Sequence, residues 1–171
     1  QTDVTSQYVG NASFEKDDVS TLTAVNNSAD GLRGYTLNPP TGWTEQGTAV
    51  TSLLVSKDCY TDNNFGKVTT VPDGSKAFYL RMGWATGSTT LQQTLSALPK
   101  GRYRLTMDVR SAYANSATSS YQLFAGTRSA SFAFSQGSAS YFTTAAWQTR
   151  QLDFETTADG DVQVGLTVNW L

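Results

Sequence analysis

The feature that most constrains the fold is a segment, 102–110, in which apolar and charged residues alternate. One set of alternate positions is apolar: Tyr103, Leu105, Met107 and Val109. The other set carries the charges: Arg102, Arg104, Asp108 and Arg110. Because successive side chains of a β-strand point to opposite faces, the pattern predicts an antiparallel strand with one face in a core and the other in water.

The same period of two recurs along the chain, whereas helical periodicity is hard to find. The further inward positions are predicted to be Phe78, Leu80 and Met82, then Leu152 and Phe154, and then Val162, Val164, Leu166 and Val168. Turn-forming residues separate these segments at 72–74, 99–101, 125–127 and 158–161. Residues 48–58 fit either a short helix or a strand. The chain is therefore predicted to be an all-β sandwich or jelly roll.

The composition of the chain argues against several classes of partner and of catalytic site. The 171 residues fit a single domain, 1–171, and the formal charge of −2 comes without a run of Lys or Arg, so neither nucleic acid nor a membrane is an expected partner. The chain has no His, which removes the usual general base and the Ser-His-Asp triad. The lone Cys59 cannot form an intrachain disulfide. The richness in Thr, Ser, Asn, Gly and Tyr is typical of secreted β-proteins.

Four short motifs occur in an informative order. They are N-A-S-F-E at 11–15, G-W at 42–43, the pair L-Q-Q-T-L at 91–95 and L-P-K-G-R-Y-R-L at 98–105, and Trp147 before a strand. Together they resemble the galactose-binding-like jelly roll, and within it the carbohydrate-binding modules of secreted bacterial glycan-processing proteins. The resemblance implies two sandwiched antiparallel sheets, a structural calcium near the first strand, and sugar bound either on the concave sheet or at the loop apex.

The same resemblance implies the calcium ligands. Glu15 takes the place of the family's first-strand acidic ligand, with Asp18 or Asp17 close enough to help. The alternative is that Glu15 caps an edge strand in solvent. The family commonly closes with a strand that returns beside the first, but here 169–171 reads N-W-L. We therefore expect either that this last strand is absent or that the polypeptide continues into another domain.

Sugar binding requires aromatic rings for stacking and planar hydrogen-bonding groups for the hydroxyls. One candidate set forms a groove: Tyr79, Arg81, Trp84, Arg104 and Arg110, with Gln122 and Phe124 or Gln163 opposite. The other set lies at the apex: Trp43, Tyr60, Asp62, Asn63, Asn64, Tyr113 and Asn115. The sequence does not rank the two sites. Trp43 and Trp147 are also predicted to be core residues, and Trp84 is the better ligand candidate.

We therefore predict non-catalytic binding of a polysaccharide or oligosaccharide, which would direct a secreted or cell-surface glycan-degrading protein to its substrate. The expected location is extracellular or periplasmic. One alternative is a structural or adhesion sandwich that contacts another protein or domain. Another is a His-free glycan lyase or hydrolase that uses Tyr79, Arg81 and Arg110. The acidic pairs in the chain lie mostly in turn-like contexts, which disfavours a pair for glycoside cleavage.

Overall fold

The structure, a computed structural model, describes residues 1–27, 32–36, 39–47, 51–56, 70–81, 86–110, 118–134 and 146–171. Two short helical segments come first, α1 at Thr5–Tyr8 and a 3-10 helix at Val19–Thr21. The strands are β1 Thr23–Asn27, β2 Leu32–Thr36, β3 Thr44–Gly47, β4 Thr51–Ser56, β5 Lys76–Arg81, β6 Gly87–Leu98, β7 Gly101–Val109, β8 Ser120–Ala125, β9 Arg128–Ala133, β10 Gln148–Thr156 and β11 Gly160–Trp170.

These strands form antiparallel sheets. The largest sheet has five strands in the order β3-β6-β11-β8-β9, so that β11 is its central strand. Strand β7 pairs with β10, and β1-β2-β4-β5 form a four-stranded sheet. The alternation predicted at 102–110 is confirmed, because the apolar residues of β7 are half-buried and Arg102, Arg104 and Asp108 are exposed.

The core lies between the five-stranded sheet and the β7–β10 pair. Its buried residues are Leu95 and Leu98 of β6, Leu123 and Ala125 of β8, Val164 of β11, and Leu152 and Phe154 of β10. Most of these strands contribute alternate residues to this layer, which is why inward residues could be read from the period of two. In β6 the period is broken between Leu95 and Leu98, where Ala97 has a φ of +50°. Burial of each large apolar side chain contributes roughly 1.5–3 kcal/mol.

The predicted turns at 99–101 and 125–127 are confirmed. Only Pro99 and Lys100 separate β6 from β7, and only Gly126 and Thr127 separate β8 from β9. Gly126 has a φ of +57°, a conformation that glycine adopts without steric cost. The ambiguous segment 48–58 contains a strand, β4, rather than a helix in its described part.

Strand β5 departs from the expected pattern of one buried and one wet face. Ala77 is buried, and Phe78, Tyr79 and Leu80 are all half-buried, so both faces of β5 are partly covered. The ring of Phe14 covers one face, with its centroid 6.0 Å from that of Phe78.

The chain is thus an all-β jelly-roll sandwich, as predicted. No helix in the described ranges is long and apolar enough to cross a membrane.

Leu123→Ala should lower the free energy of unfolding by about 2–5 kcal/mol, because Leu123 is fully buried and truncation leaves a cavity in the core. Gln122→Ala is the matched control, since Gln122 precedes it on β8 and faces the opposite side. Denaturant unfolding of both variants measures the difference. A similar loss of stability in both would contradict the assigned facing of β8.

Candidate functional site

The outer face of the five-stranded sheet is a polar surface that we call the neutral face. It consists of Thr44, Gln46, Ser88, Thr90, Gln92, Thr94, Ser120, Gln122, Phe124, Ser129, Ser131, Ala133, Gln163, Gly165, Thr167 and Asn169. Apart from Gly165, all are half-buried or exposed. None of these described positions holds an Asp, Glu, Lys or Arg. The next outward residue of β11, Asp161, is exposed at the register shift at the end of the strand, where its carboxylate accepts a hydrogen bond from the backbone of Ala97.

Phe124 and Gly165 occupy the middle of the neutral face. Gly165 on the central strand pairs with Phe124 of β8. A Cβ atom at Gly165 would lie 2.9 Å from Cζ of Phe124 and closer still to the backbone of β6. The Phe124 ring therefore leans across the space that a side chain at 165 would fill. The absence of a side chain there leaves a half-buried aromatic ring beside bare backbone.

Amides and hydroxyls surround this ring. Gln92 pairs with Gly165 from the other side, so that Gln92, Gly165 and Phe124 form one row across the sheet. In the next row along the strands, Thr90, Thr167 and Gln122 are opposite one another. The hydroxyls of Thr90 and Thr167 are hydrogen-bonded at 2.8 Å. The rows present hydrogen-bond donors and acceptors together.

The outer face of the β7–β10 pair is different in character. Arg104 donates two hydrogen bonds to Asp153, with Nε 2.6 Å from one carboxylate oxygen and a terminal nitrogen 3.0 Å from the other. Arg102 lies 3.7 Å from Glu155 in the neighbouring pair. The hydrogen bond from Arg104 holds the pKa of Asp153 below its usual value. Charged side chains on this face thus have partners on the facing strand.

The structure divides the predicted sugar-binding residues between sheets. Tyr79 and Arg81 lie on β5 of the four-stranded sheet, whereas Gln122 lies on β8 of the five-stranded sheet. Arg110 is half-buried just after β7. Seven further candidates lie outside the described residues: Trp84 of the groove, and Tyr60, Asp62, Asn63, Asn64, Tyr113 and Asn115 of the apex.

Gln122, Phe124 and Gln163 lie together on the neutral face. The predicted groove instead had these residues on one wall and Arg104 on the opposite wall. Arg104 lies on the outer face of the β7–β10 pair, on the opposite side of the core. The predicted groove does not include three residues of the same face, Gln92, Thr90 and Thr167. Their signal was available: the outward positions of 88–94 and 163–169 lack charges, whereas those of 102–108 carry several.

Hydrogen bonds and a ring contact of the motif at 11–15 attach the N-terminal segment to the sandwich. The Asn11 amide donates to Asp17 and to the carbonyl of Thr41, both at 2.8 Å, and the indole of Trp43 donates to the Asn11 carbonyl at 3.1 Å. Asn11, Asp17 and Trp43 are buried. The Phe14 and Trp43 rings pack with centroids 5.9 Å apart. Trp43 is thereby confirmed as a core residue.

Glu15 and Asp18, the predicted calcium ligands, have other partners in the structure. Glu15 accepts hydrogen bonds from the backbone and hydroxyl of Ser75, at 2.7 and 2.9 Å, and from the ammonium of Lys76 at 3.3 Å. Asp18 accepts from the backbone of Ser20 at 2.9 Å. No group of three acidic, Cys or His side chains converges within the described ranges. Calcium binding at Glu15 and Asp18 remains a prediction.

Electrostatics around Glu15 favour its ionised form. Burial tends to raise the pKa of Glu15, but hydrogen bonds from Ser75 and Lys76 and the positive charge of Lys76 outweigh burial and hold the pKa below 4.5. Hydrogen bonds from Ser20 lower the pKa of Asp18, and the charge of Lys76 contributes in the same direction. Lys76 thus supplies positive charge to both predicted ligands.

Acidification should remove the stabilisation that Glu15 provides. Because its folded-state pKa is depressed, the contribution is fully present above pH 4.5 and is lost as the pH falls through the folded-state pKa. The difference in unfolding free energy between the wild type and Glu15→Gln should therefore shrink in acid. Glu155→Gln is the control, because its partner Arg102 is highly exposed. A difference that is independent of pH would contradict the prediction.

Calcium at Glu15 would have to displace the Lys76 ammonium, which contacts both the carboxylate and the Glu15 carbonyl, the latter at 3.4 Å. Lys76→Ala should therefore show a larger rise in melting temperature on addition of calcium than the wild type does, with chelator as the baseline. An equal or smaller rise in the variant would indicate that no cation site at Glu15 competes with Lys76.

Comparison with solved structures supports the fold. The chain resembles TmCBM61 in complex with β-1,4-galactotriose, with a TM-score of 0.52 and 16% identity over 95% of this chain and 86% of that chain. It also resembles the enzymatically active domain of tailspike protein 4 of bacteriophage CBA120, with a TM-score of 0.53 and 12% identity over 96% of this chain and 19% of that chain. At these identities the likeness concerns the fold.

Sequence comparison gives the family. A search of curated protein sequences finds no significant match. A family model described as HpiC1-like, HpiC1 cyclase, matches residues 5–169, which is nearly the whole chain. The chain therefore belongs to the HpiC1-like family.

Proposed function

We propose that this chain binds carbohydrate without cleaving it, and that the neutral face is the binding surface. The observation that carries the proposal is the half-buried Phe124 ring beside Gly165, flanked by amides and hydroxyls. Sugar rings combine apolar faces with rims of hydroxyl groups, so they are bound by an aromatic ring surrounded by hydrogen-bonding side chains. The neutral face offers both within two adjacent rows.

The shared row of Gln92, Gly165 and Phe124 suggests where a sugar ring would lie. Gln92 and Phe124 are separated by two strand spacings, or about 10 Å, with no side chain between them at Gly165. Because the Phe124 ring leans over Gly165, a sugar ring would stack on the solvent-facing side of the Phe124 ring and reach the Gln92 amide at its edge. Gln122 and Thr167 in the next row would serve the adjacent hydroxyls.

The likeness to TmCBM61, which was solved with β-1,4-galactotriose, supports the proposal by analogy of fold. The biological setting is part of the same proposal: a secreted or cell-surface protein, of bacterial type, that carries this module to a polysaccharide. Affinity at one site should be weak, because a few stacking and hydrogen-bond contacts leave little surplus after the cost of ordering a hydrated ligand.

Phe124→Ala should weaken binding to the preferred polysaccharide by about tenfold or more, equivalent to about 1.4 kcal/mol, because it removes the stacking surface. Affinity electrophoresis across plant, microbial and host glycans identifies the ligand, and calorimetry measures the affinity. The melting temperature should change little, because Phe124 lies outside the core cluster.

Tyr79→Ala is the matched aromatic control, since Tyr79 lies on the other sheet and belongs to the predicted groove. Loss of binding in Tyr79→Ala with full binding in Phe124→Ala would move the site to the groove. Failure to bind any glycan in the panel would favour the alternative, a structural or adhesion sandwich.

Catalysis is the second candidate, because the family description names a cyclase and the matched tailspike domain is enzymatically active. A glycan lyase or hydrolase would use groups such as Tyr79, Arg81 and Arg110. Incubation of the bound polysaccharide with the protein, followed by assays for new reducing ends and unsaturated products, tests this candidate. Binding without either product supports the non-catalytic proposal.

A further inference from the structure

We infer that the ligand of the neutral face is an uncharged polysaccharide, an inference that rests on the proposed function and names its substrate class. It starts from the unequal distribution of charge between the two outer faces of the sandwich. Both faces are rows of alternate residues on antiparallel strands, so both could have carried the same mixture of polar residues. Of these two faces, only the β7–β10 face has ion pairs between facing residues of the described strands.

Charged side chains on the β7–β10 face already have hydrogen-bond or ion-pair partners on the facing strand. Arg104 is bidentate to Asp153, Arg102 lies beside Glu155, and Asp108 accepts a hydrogen bond from Thr149 at 2.5 Å. These are directly opposed positions in the register. An acidic glycan approaching this face would meet carboxylates as well as guanidinium groups, which gives no net attraction.

Among the residues that the structure describes, the neutral face has no cation that could compensate an acidic sugar. Carboxylate and sulfate groups lose hydration when they contact a protein surface, and a bound anion needs a positively charged partner to offset that loss. Amides and hydroxyls can replace the hydrogen bonds of neutral sugar hydroxyls but supply no such charge. The net charge of −2 adds a weak repulsion of polyanions.

The width of the face indicates a chain rather than a single sugar. Five strands are separated by four spacings of about 4.8 Å, so the neutral face is about 19 Å across. In the central row, polar residues lie on both sides of Gly165 and Phe124: Thr44 and Gln92 toward one edge and Ser129 at the other. A short run of sugar residues crossing the strands would therefore meet the aromatic ring near its middle and hydrogen-bonding groups on either side of it.

The test compares each neutral polysaccharide that binds with its own carboxymethylated form. Galactan, xylan, mannan and mixed-linkage glucan serve as probes, each before and after carboxymethylation, with calorimetry at low and high NaCl. The wild type should bind the neutral form with an affinity that is independent of salt, and should bind the carboxymethylated form at least about tenfold more weakly. Salt independence is expected because no ion pair forms on binding.

Ser129→Arg places one cation at the edge of the central row, where Ser129 is exposed. This variant should bind the carboxymethylated form more tightly at low salt than Ser129→Gln does, with each affinity taken relative to the same variant's affinity for the neutral form. Ser129→Gln is the matched uncharged control. Tighter binding of the carboxymethylated form by the wild type, or a salt-dependent affinity for the neutral form, would overturn this inference and leave carbohydrate binding intact. Failure of every probe to bind would instead overturn the proposed function.

Discussion

The packing of alternate apolar residues between the five-stranded sheet and the β7–β10 pair is the constraint on which the other features depend. Leu95, Leu123 and Val164 from one side meet Leu152 and Phe154 from the other. Because a strand cannot shift by one residue without exchanging its two faces, this buried layer also fixes what each sheet presents to solvent. The neutral face and the charged β7–β10 face are both consequences of the core.

The N-terminal motif has a structural explanation that does not require a ligand. Asn11 and Phe14 adopt φ values of +54° and +62°, which are uncommon outside glycine. Buried hydrogen bonds from Asn11 to Asp17 and Thr41 accompany this backbone conformation, and the amide of Gln93 adds two bonds to Gly10. The motif thereby fixes the entry of the chain onto the inner side of β6.

The two outer faces of the sandwich differ in the charges that they carry. One side has ion pairs between facing strands, and the described residues of the other side offer hydrogen-bonding groups around the Phe124 ring. Exposed ion pairs add little stability, so their confinement to one side is not required by the fold. A surface free of charge suits a ligand that is itself uncharged, and it connects the proposed function to the distribution of residues along alternating strands.

The sequence by itself determined the fold class, the inward residues of β7, β10 and β11, and the short turns, because strand periodicity and turn chemistry are local properties of the chain. It also indicated that the motifs at 11–15 and 42–43 belong to the same family resemblance. It did not determine which outward-facing residues of different strands lie on the same face of a sheet. Gln92, Gly165 and Phe124 are far apart in sequence and become neighbours only through the pairing of β6, β11 and β8, and Gln122 is separated from Arg104 by the core. That arrangement depends on strand order and register, which are set by long-range packing and by no local pattern.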